Sequence, residues 1–268
     1  MIKLIASDMD GTLLNSKKHL SPSIHDVLKK LKNKDIIFVA ISGRDLFSLK
    51  EIFKEVEEDI VYASNNGNYI TYKNEVIFEN YIENNMVEKV AKIIRKKAKH
   101  NTIYCAKDAI YSESLIPAIV GRKWNLKVKY TRDIAKVEDK ILKITTFGNK
   151  KIINRTLEAI RGFNNKLMIT KSGSTCFDIC NLGGTKKQGV NILQEKFNVG
   201  YNETMVFGDH MNDLEMMSSA YYSYAMENAE EEVKKNARFI AGTNDDDGVI
   251  KIIKEVAFCE EELNSYSI

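Results

Sequence analysis

The chain opens on a short apolar run, Ile2 to Ser7, followed at once by an acidic, glycine-containing stretch from Asp8 to Asn15. A run of that kind predicts a buried strand with a loop at its C-terminal end. Ser21 and Pro22 read as the N-cap and first position of a helix, and Ile24, Val27, Leu28 and Leu31 recur at helical spacing. Ile36 to Ile41 is a second apolar run. It completes a strand, helix, strand unit and so predicts parallel pairing, because such a crossover returns the chain in the same direction. Asp45 to Glu57 predicts a further helix, Ile60 to Ala63 a strand, and Asn66-Gly67 a hairpin-type turn before the next apolar run.

From about 83 to 183 the pattern changes. Helical spacing (Val87, Val90, Ala91, Ile94; Ile153, Leu157, Ile160) is interleaved with short strand candidates at Thr102 to Cys105, Ile141 to Phe147 and Leu167 to Thr170. After Gly183 and Gly184 the alternation of strand and helix returns. It predicts a helix over Thr185 to Phe197, strands at Thr204 to Phe207, Tyr221 to Ala225 and Arg238 to Ala241, and a last helix after Gly248. The fold expected is α/β: a Rossmann-like, doubly wound parallel sheet core from residues 1–82 and 184–268, carrying an inserted α+β cap domain over 83–183.

Composition narrows the function more than the fold. The 40 basic and 37 acidic residues leave a net charge of only +3, too balanced for the electrostatic footprint of a nucleic-acid binder. The run Arg95, Lys96, Lys97 is therefore expected to be the solvated face of a helix. Cys105, Cys176, Cys180 and Cys259 lack the spacing of a zinc or redox pair and read as free, mostly buried thiols. The opening apolar run has no basic segment and signal-type core ahead of it, and no stretch approaches membrane-spanning length. The expected setting is the reducing cytoplasm, with no membrane or nucleic-acid partner and the chain a monomer or small homo-oligomer.

In an open parallel sheet, polar residues just after the strands line one crevice at the C-terminal edge, where ligands bind. Here those positions hold Asp8 and Asp10 after the first strand, Ser42, Gly43 and Arg44 after the second, and Asp209, Asn212 and Asp213 after the strand ending at Phe207. Carboxylates gathered in one crevice repel one another unless some are protonated or a cation neutralises them. All-oxygen ligands, with no histidine or cysteine cluster, favour Mg²⁺.

The run Asp8-Met9-Asp10-Gly11-Thr12-Leu13-Leu14 resembles the signature of the haloacid dehalogenase superfamily, in particular its Cof-type phosphatases with a large α/β cap. The resemblance continues through Ile41-Ser42-Gly43-Arg44, Ser64-Asn65-Asn66-Gly67, Lys186 with Gln188-Gly189-Val190, Gly208-Asp209-His210-Met211-Asn212-Asp213, Ala225 to Ala229 and Asn244 to Val249. It implies a Mg²⁺-dependent phosphoric monoester hydrolase acting on a small phosphorylated metabolite, such as a sugar phosphate, through a phospho-aspartate. In that frame Asp8 is the nucleophile and Asp10 the general acid and base, with an environment that must hold a proton. Ser42 and the Gly43 amide donate to phosphate, and Lys186, rather than Lys187, offsets charge. The metal is held by Asp8, the Asp10 backbone carbonyl and Asp209, with Asp213 orienting them, and Asn212 is a phosphate-side contact.

Other features have plainer explanations. Arg44 contacts substrate or caps the next helix, and Asn66 faces the cleft or serves only its turn. His210 is expected as loop surface, and Asp245, Asp246 and Asp247 as caps of the helix that follows rather than a calcium loop. The Tyr221 and Tyr222 pair belongs with the core sheet, and Trp124 packs within the insertion. Two rivals share these residues. A phosphomutase or phosphotransferase of the same superfamily would pass the phosphoryl group to a sugar hydroxyl. A phospho-accepting signalling domain would need neither the inserted cap nor Asp10.

Overall fold

The structure is a computed structural model that describes residues 1–55, 60–98, 101–117, 128–171 and 175–258. Its internal contacts divide the chain into two units, Met1–Arg44 with Leu49–Phe78 and Thr185–Ile268, and Asp45–Ser48 with Glu79–Gly184. Trp124, Cys259 and the end of the helix expected to reach Glu57 lie outside the described residues.

The first unit holds an eight-stranded sheet. Its strands are β1 (Leu4–Ser7), β2 (Ile37–Ile41), β3 (Ile60–Ser64), β4 (Tyr69–Tyr72), β5 (Glu75–Glu79), β12 (Thr204–Gly208), β13 (Tyr222–Met226) and β14 (Phe239–Ala241). Their spatial order is β14-β13-β12-β1-β2-β3-β4-β5. The pairs from β14 through β3 are parallel, and β4 runs antiparallel to β3. β1, β12 and the centre of β2 are buried throughout, which is why they read as continuous apolar runs. The chain leaves β1 in one direction, through β2 and β3, and returns to its other side through β12, β13 and β14. The order therefore reverses between β1 and β12, which is where such sheets bind ligands.

Helix α1 (Ile24–Asn33) buries Ile24, Val27, Leu28 and Leu31. It begins two residues later than Ser21 and Pro22 suggest. Ser23 occupies the N-cap position, while the Ser21 hydroxyl is drawn 2.8 Å to Asp247, 226 positions away. Of the three consecutive acids, Asp247 takes the expected N-cap position of the last helix, and the other two are drawn elsewhere. Asp245 binds the Ser16 amide and hydroxyl, Asp246 binds the Thr243 hydroxyl, and Asp247 stands before the last helix in a left-handed conformation with no side-chain cap bond. Tyr222 opens β13, and its ring stacks with Phe239 of β14.

The second unit is a six-stranded sheet in the order β10-β11-β9-β6-β7-β8, formed by β6 (Thr102–Ala106), β7 (Ile110–Ser112), β8 (Val128–Tyr130), β9 (Ile141–Phe147), β10 (Leu167–Lys171) and β11 (Cys176–Asn181). The helices Asn84–Lys97 and Lys150–Ile160 contribute Val87, Val90, Ile94 and Ile153 to a core shared with Tyr104, Ile144, Phe177 and Ile179. Lys96 is exposed, as expected, whereas Arg95 is half-buried. Its guanidinium binds Glu113 and Asp133, which ties its helix to two loops. Cys105, Cys176 and Cys180 are free thiols, and burial pushes the Cys105 thiol up to about 12. No helix among the described residues is long and apolar enough to cross a membrane.

Candidate active site

The register of the central strands sets the site. Ser7 pairs with Phe207 and with Ala40, so the residues following β1, β12 and β2 emerge side by side on one sheet edge. Asp8 is anchored there by its own amide, which donates to the Phe207 carbonyl at 3.0 Å. The loop beyond it turns back through the Leu14 amide, which donates to the Met9 carbonyl at 2.8 Å. Gly11 stands at φ +84°, and a Cβ there would lie 2.9 Å from the Asp209 carboxyl carbon. Glycine is thus required twice over, by the left-handed turn and by the close approach of Asp209.

Asp8, Asp209 and Asp213 each offer a carboxylate oxygen, and the three oxygens lie within 4.8 Å of one another. Lys186 is the first residue of the helix Lys186–Phe197, whose N-terminus is capped by the Thr185 hydroxyl accepting from the Gln188 amide. Gly189 seats that helix closely, its Cβ position lying 3.2 Å from the Gly67 Cα. The Lys186 ammonium, with no exposed side-chain surface, donates to Asp8 Oδ1 and, at 2.6 Å, to Asp213 Oδ1. Lys187 next to it is only half-buried. The second Asp213 oxygen accepts from the amides of Asp209 and His210, each at 3.0 Å. Asp213 is therefore committed on both sides, and it orients Lys186 and the Asp209 loop. Asp209 in turn accepts from the Thr12 hydroxyl at 3.0 Å.

Three carboxylates facing one ammonium leave an excess of two negative charges in a buried place. Burial raises the Asp8 pKa well above its ordinary value. Lys186 opposes the shift, and Asp213 and Asp209 reinforce it. Asp209 is raised by burial and by Asp213. Burial works against the Lys186 ammonium, but Asp213 and Asp8 outweigh it and hold the lysine protonated. A hard-oxygen donor set with excess negative charge and raised proton affinity fits a divalent cation, which would displace the protons.

The Asp10 carboxylate is not in that group. Burial acts to raise its pKa, but hydrogen bonds from Arg44 and Lys18 bring it down to about 2. Asp10, expected to hold a proton, is therefore ionised, and Asp8 is the carboxylate with raised affinity. Arg44 is forked onto Asp10, with Nε and Nη2 each 2.7 Å from a carboxylate oxygen.

A second group gathers beyond β2. Ser42 is buried, its hydroxyl accepting from the Arg44 amide at 3.2 Å and its carbonyl from the Asn66 amide at 2.8 Å. A Cβ on Gly43 would lie 3.2 Å from Asn66 Oδ1, which itself accepts from Asn212 at 3.3 Å. Ser42, Gly43, Asn66 and Asn212 are thus contiguous, and Asn66 reaches its place through a left-handed backbone (φ +61°) shared with Asn65 and Gly67. His210 faces outward and pairs with Glu230 at 2.8 Å.

Four supporting residues have no role assigned in the sequence, although Thr12, Asn228 and Asn244 stand within the stretches that carry the resemblance; Lys18 lies outside them. Thr12 holds Asp209, and Lys18 contacts Asp10. Asn228 donates to the Gly11 carbonyl, and Asn244 donates to the Leu14 carbonyl, so together they brace the acidic loop.

A family model described as haloacid dehalogenase-like hydrolase matches residues 5–253. Among curated proteins, the 5-amino-6-(5-phospho-D-ribitylamino)uracil phosphatase YbjI of Escherichia coli is 27% identical over 260 residues, covering 95% of this chain and 96% of the relative. The phosphatase of the same name, YcsE, from Bacillus subtilis is 29% identical over 257 residues, covering 94% and 95%. A haloacid dehalogenase-like hydrolase from Bacteroides thetaiotaomicron superposes with a TM-score of 0.85 at 26% identity, covering 96% of this chain and all of that one.

Proposed function

The chain belongs to the haloacid dehalogenase-like hydrolase family, and from that premise we propose that it is a Mg²⁺-dependent phosphatase of small phosphorylated metabolites, working through a phospho-aspartate on Asp8. The observation that carries this reading is the Lys186-bridged group of Asp8, Asp209 and Asp213 where the strand order reverses.

Asp8 attacks phosphorus in line, and the bond to the leaving oxygen breaks. Asp10 gives a proton to that oxygen and later takes one from the water that hydrolyses the acyl phosphate. Its ionised state suits the second half. For the first half it takes up a proton from solvent on Oδ2, the oxygen that Lys18 does not contact, while Lys18 and Arg44 keep the carboxylate in place. The Ser42 hydroxyl and the Gly43 amide donate to phosphoryl oxygens, and Lys186 balances charge on both Asp8 and the transferring group. Arg44, Asn66 and Asn212 line the substrate side. Asp8, the Asp10 carbonyl and Asp209 would hold Mg²⁺ with Asp213 orienting them, and the ion would supply charge screening between nucleophile and phosphate.

The unit over Glu79–Gly184 acts as the cap that selects the leaving group. Its substrates are sugar phosphates or similar esters, and the phosphoribitylaminouracil of the two named relatives belongs in the first panel tested. The free thiols suit a reducing, cytoplasmic setting. The test is phosphate release from p-nitrophenyl phosphate and a panel of phosphorylated sugars. Activity that needs Mg²⁺ and vanishes in Asp8→Asn supports the proposal, and activity that survives both Mg²⁺ chelation and Asp8→Asn refutes it.

A further inference from the structure

One exposed lysine beside the site holds a backbone conformation that side chains disfavour. Lys18 stands at φ +64°, in the left-handed region that is strained for a non-glycine residue. The loop around it is built to keep it there. The Asn15 side-chain oxygen accepts from the amides of Lys17 and His19, each at 3.0 Å, and the Asn15 carbonyl accepts from the Lys18 amide at 2.8 Å. The Asn15 amide donates to the His19 carbonyl at 3.1 Å, and Ser16 is tethered to Asp245 through its amide (2.7 Å) and hydroxyl (2.6 Å). The outcome is an ammonium 2.9 Å from Asp10 Oδ1.

As a stabilising pair this contact offers little. The Lys18 side chain is 57% exposed, and exposed pairs contribute no more than the strained backbone costs. Aim is what it does supply. Arg44 grips both Asp10 oxygens from one side. The forked pair fixes the carboxylate relative to the guanidinium. A second cation on Oδ1, brought from a loop tethered to Asp245, fixes it from another direction.

We infer that Lys18 is a positioning residue of the reaction, which with Arg44 fixes the orientation of the Asp10 carboxylate and acts through Asp10 without touching substrate. This rests on the proposed role of Asp10 as proton carrier, and the experiment separates the two. On the full chain with Mg²⁺, Lys18→Ala lowers kcat about ten- to a hundred-fold, the scale set by loosening a reacting group, with KM within about twofold. Lys18→Arg restores most of the rate. Lys18→Gly, relieved of the left-handed strain, melts no lower than the parent yet is as slow as Lys18→Ala. Lys17→Ala stays fully active.

In an Asp10→Asn background, removing Lys18 causes no additional loss, because its effect passes through Asp10. A parental kcat in Lys18→Ala, a rise in KM at constant kcat, or an additive loss in the double variant each overturns the inference. If Asp10→Asn alone leaves no measurable turnover, the split between kcat and KM together with the Lys18→Arg rescue decides. Full activity in Asp10→Asn would instead overturn the role given to Asp10 under the proposed function.

Discussion

Replacing Gly11 by alanine should separate stability from activity. The added Cβ would overlap Asp209 Oδ2 and stand 2.9 Å from the carboxyl carbon, where ordinary contacts begin at 3.4 Å, so the carboxyl must move by about 1 Å. What yields is the tip of a side chain, which makes the clash cheap to relieve. The left-handed backbone (φ +84°) costs alanine about 1–2 kcal/mol, part of it returned by a less flexible unfolded chain. Shifting Asp209 also strains its hydrogen bond from Thr12, a further loss of about 1 kcal/mol. The fold should therefore survive with a modestly lower Tm. The metal site should not survive intact: an affinity loss of about ten- to a hundred-fold is typical when a ligand loses its orientation, and displacement of this size costs about a hundred-fold in rate. The assay is phosphate release against Mg²⁺ concentration, with thermal melts alongside. Parental Mg²⁺ dependence and rate in Gly11→Ala would refute the reasoning, because Asp209 would then not be held where that Cβ must go.

Other outcomes follow from the same buried charges. Asp8→Asn should release no phosphate yet fold, and in the absence of Mg²⁺ it should melt no lower than the parent, since it removes one of three repelling carboxylates; a lower Tm under those conditions would contradict the charge balance. Lys186→Met leaves Asp8 and Asp213 without their shared cation, and breaking a buried pair costs about 3–5 kcal/mol; urea unfolding that shows less than about 1 kcal/mol would refute the pairing. The raised pKa values of Asp8 and Asp209 contribute stability that is fully present below the ordinary carboxylate value and is lost as pH rises through the raised values. Protons and Mg²⁺ compete for these oxygens, so the increase in Tm on adding Mg²⁺ should be larger near about pH 8 than near about pH 5; an increase independent of pH would count against the site.

Much of the architecture was legible because buried parallel strands are written as apolar runs bounded by turn residues. Ile141–Phe147 is observed with the bounds its pattern predicts, and the helix ending at Phe197 begins one residue inside its Thr185 cap. Some elements that escaped notice bury little: β5 has no fully buried position, and the helix Glu231–Asn236 buries only Val233. β11 escaped although Phe177 to Cys180 are buried, because Asp178 interrupts its apolar run. The start of α1 was misread because the Ser21 hydroxyl answers to Asp247, a partner that exists only after folding. The site divides in the same way. Asp8, Ser42 and Asp209 announce themselves by following strands. Lys18 and Thr12, and the Asn228 and Asn244 braces, act through partners far away in the sequence or through a loop conformation that no local pattern records. The ionised state of Asp10 likewise depends on Lys18 and Arg44 meeting over it, which the motif alone does not specify.

The central claim is that Asp8 accepts the phosphoryl group. Its most direct test is rapid acid quenching of the enzyme during turnover of a phosphorus-labelled sugar phosphate, followed by peptide mapping. The account predicts label on the peptide carrying Asp8, formed and lost at rates compatible with turnover and absent from Asp8→Asn. Turnover with no covalent label at any time, or label on a different residue, would contradict it.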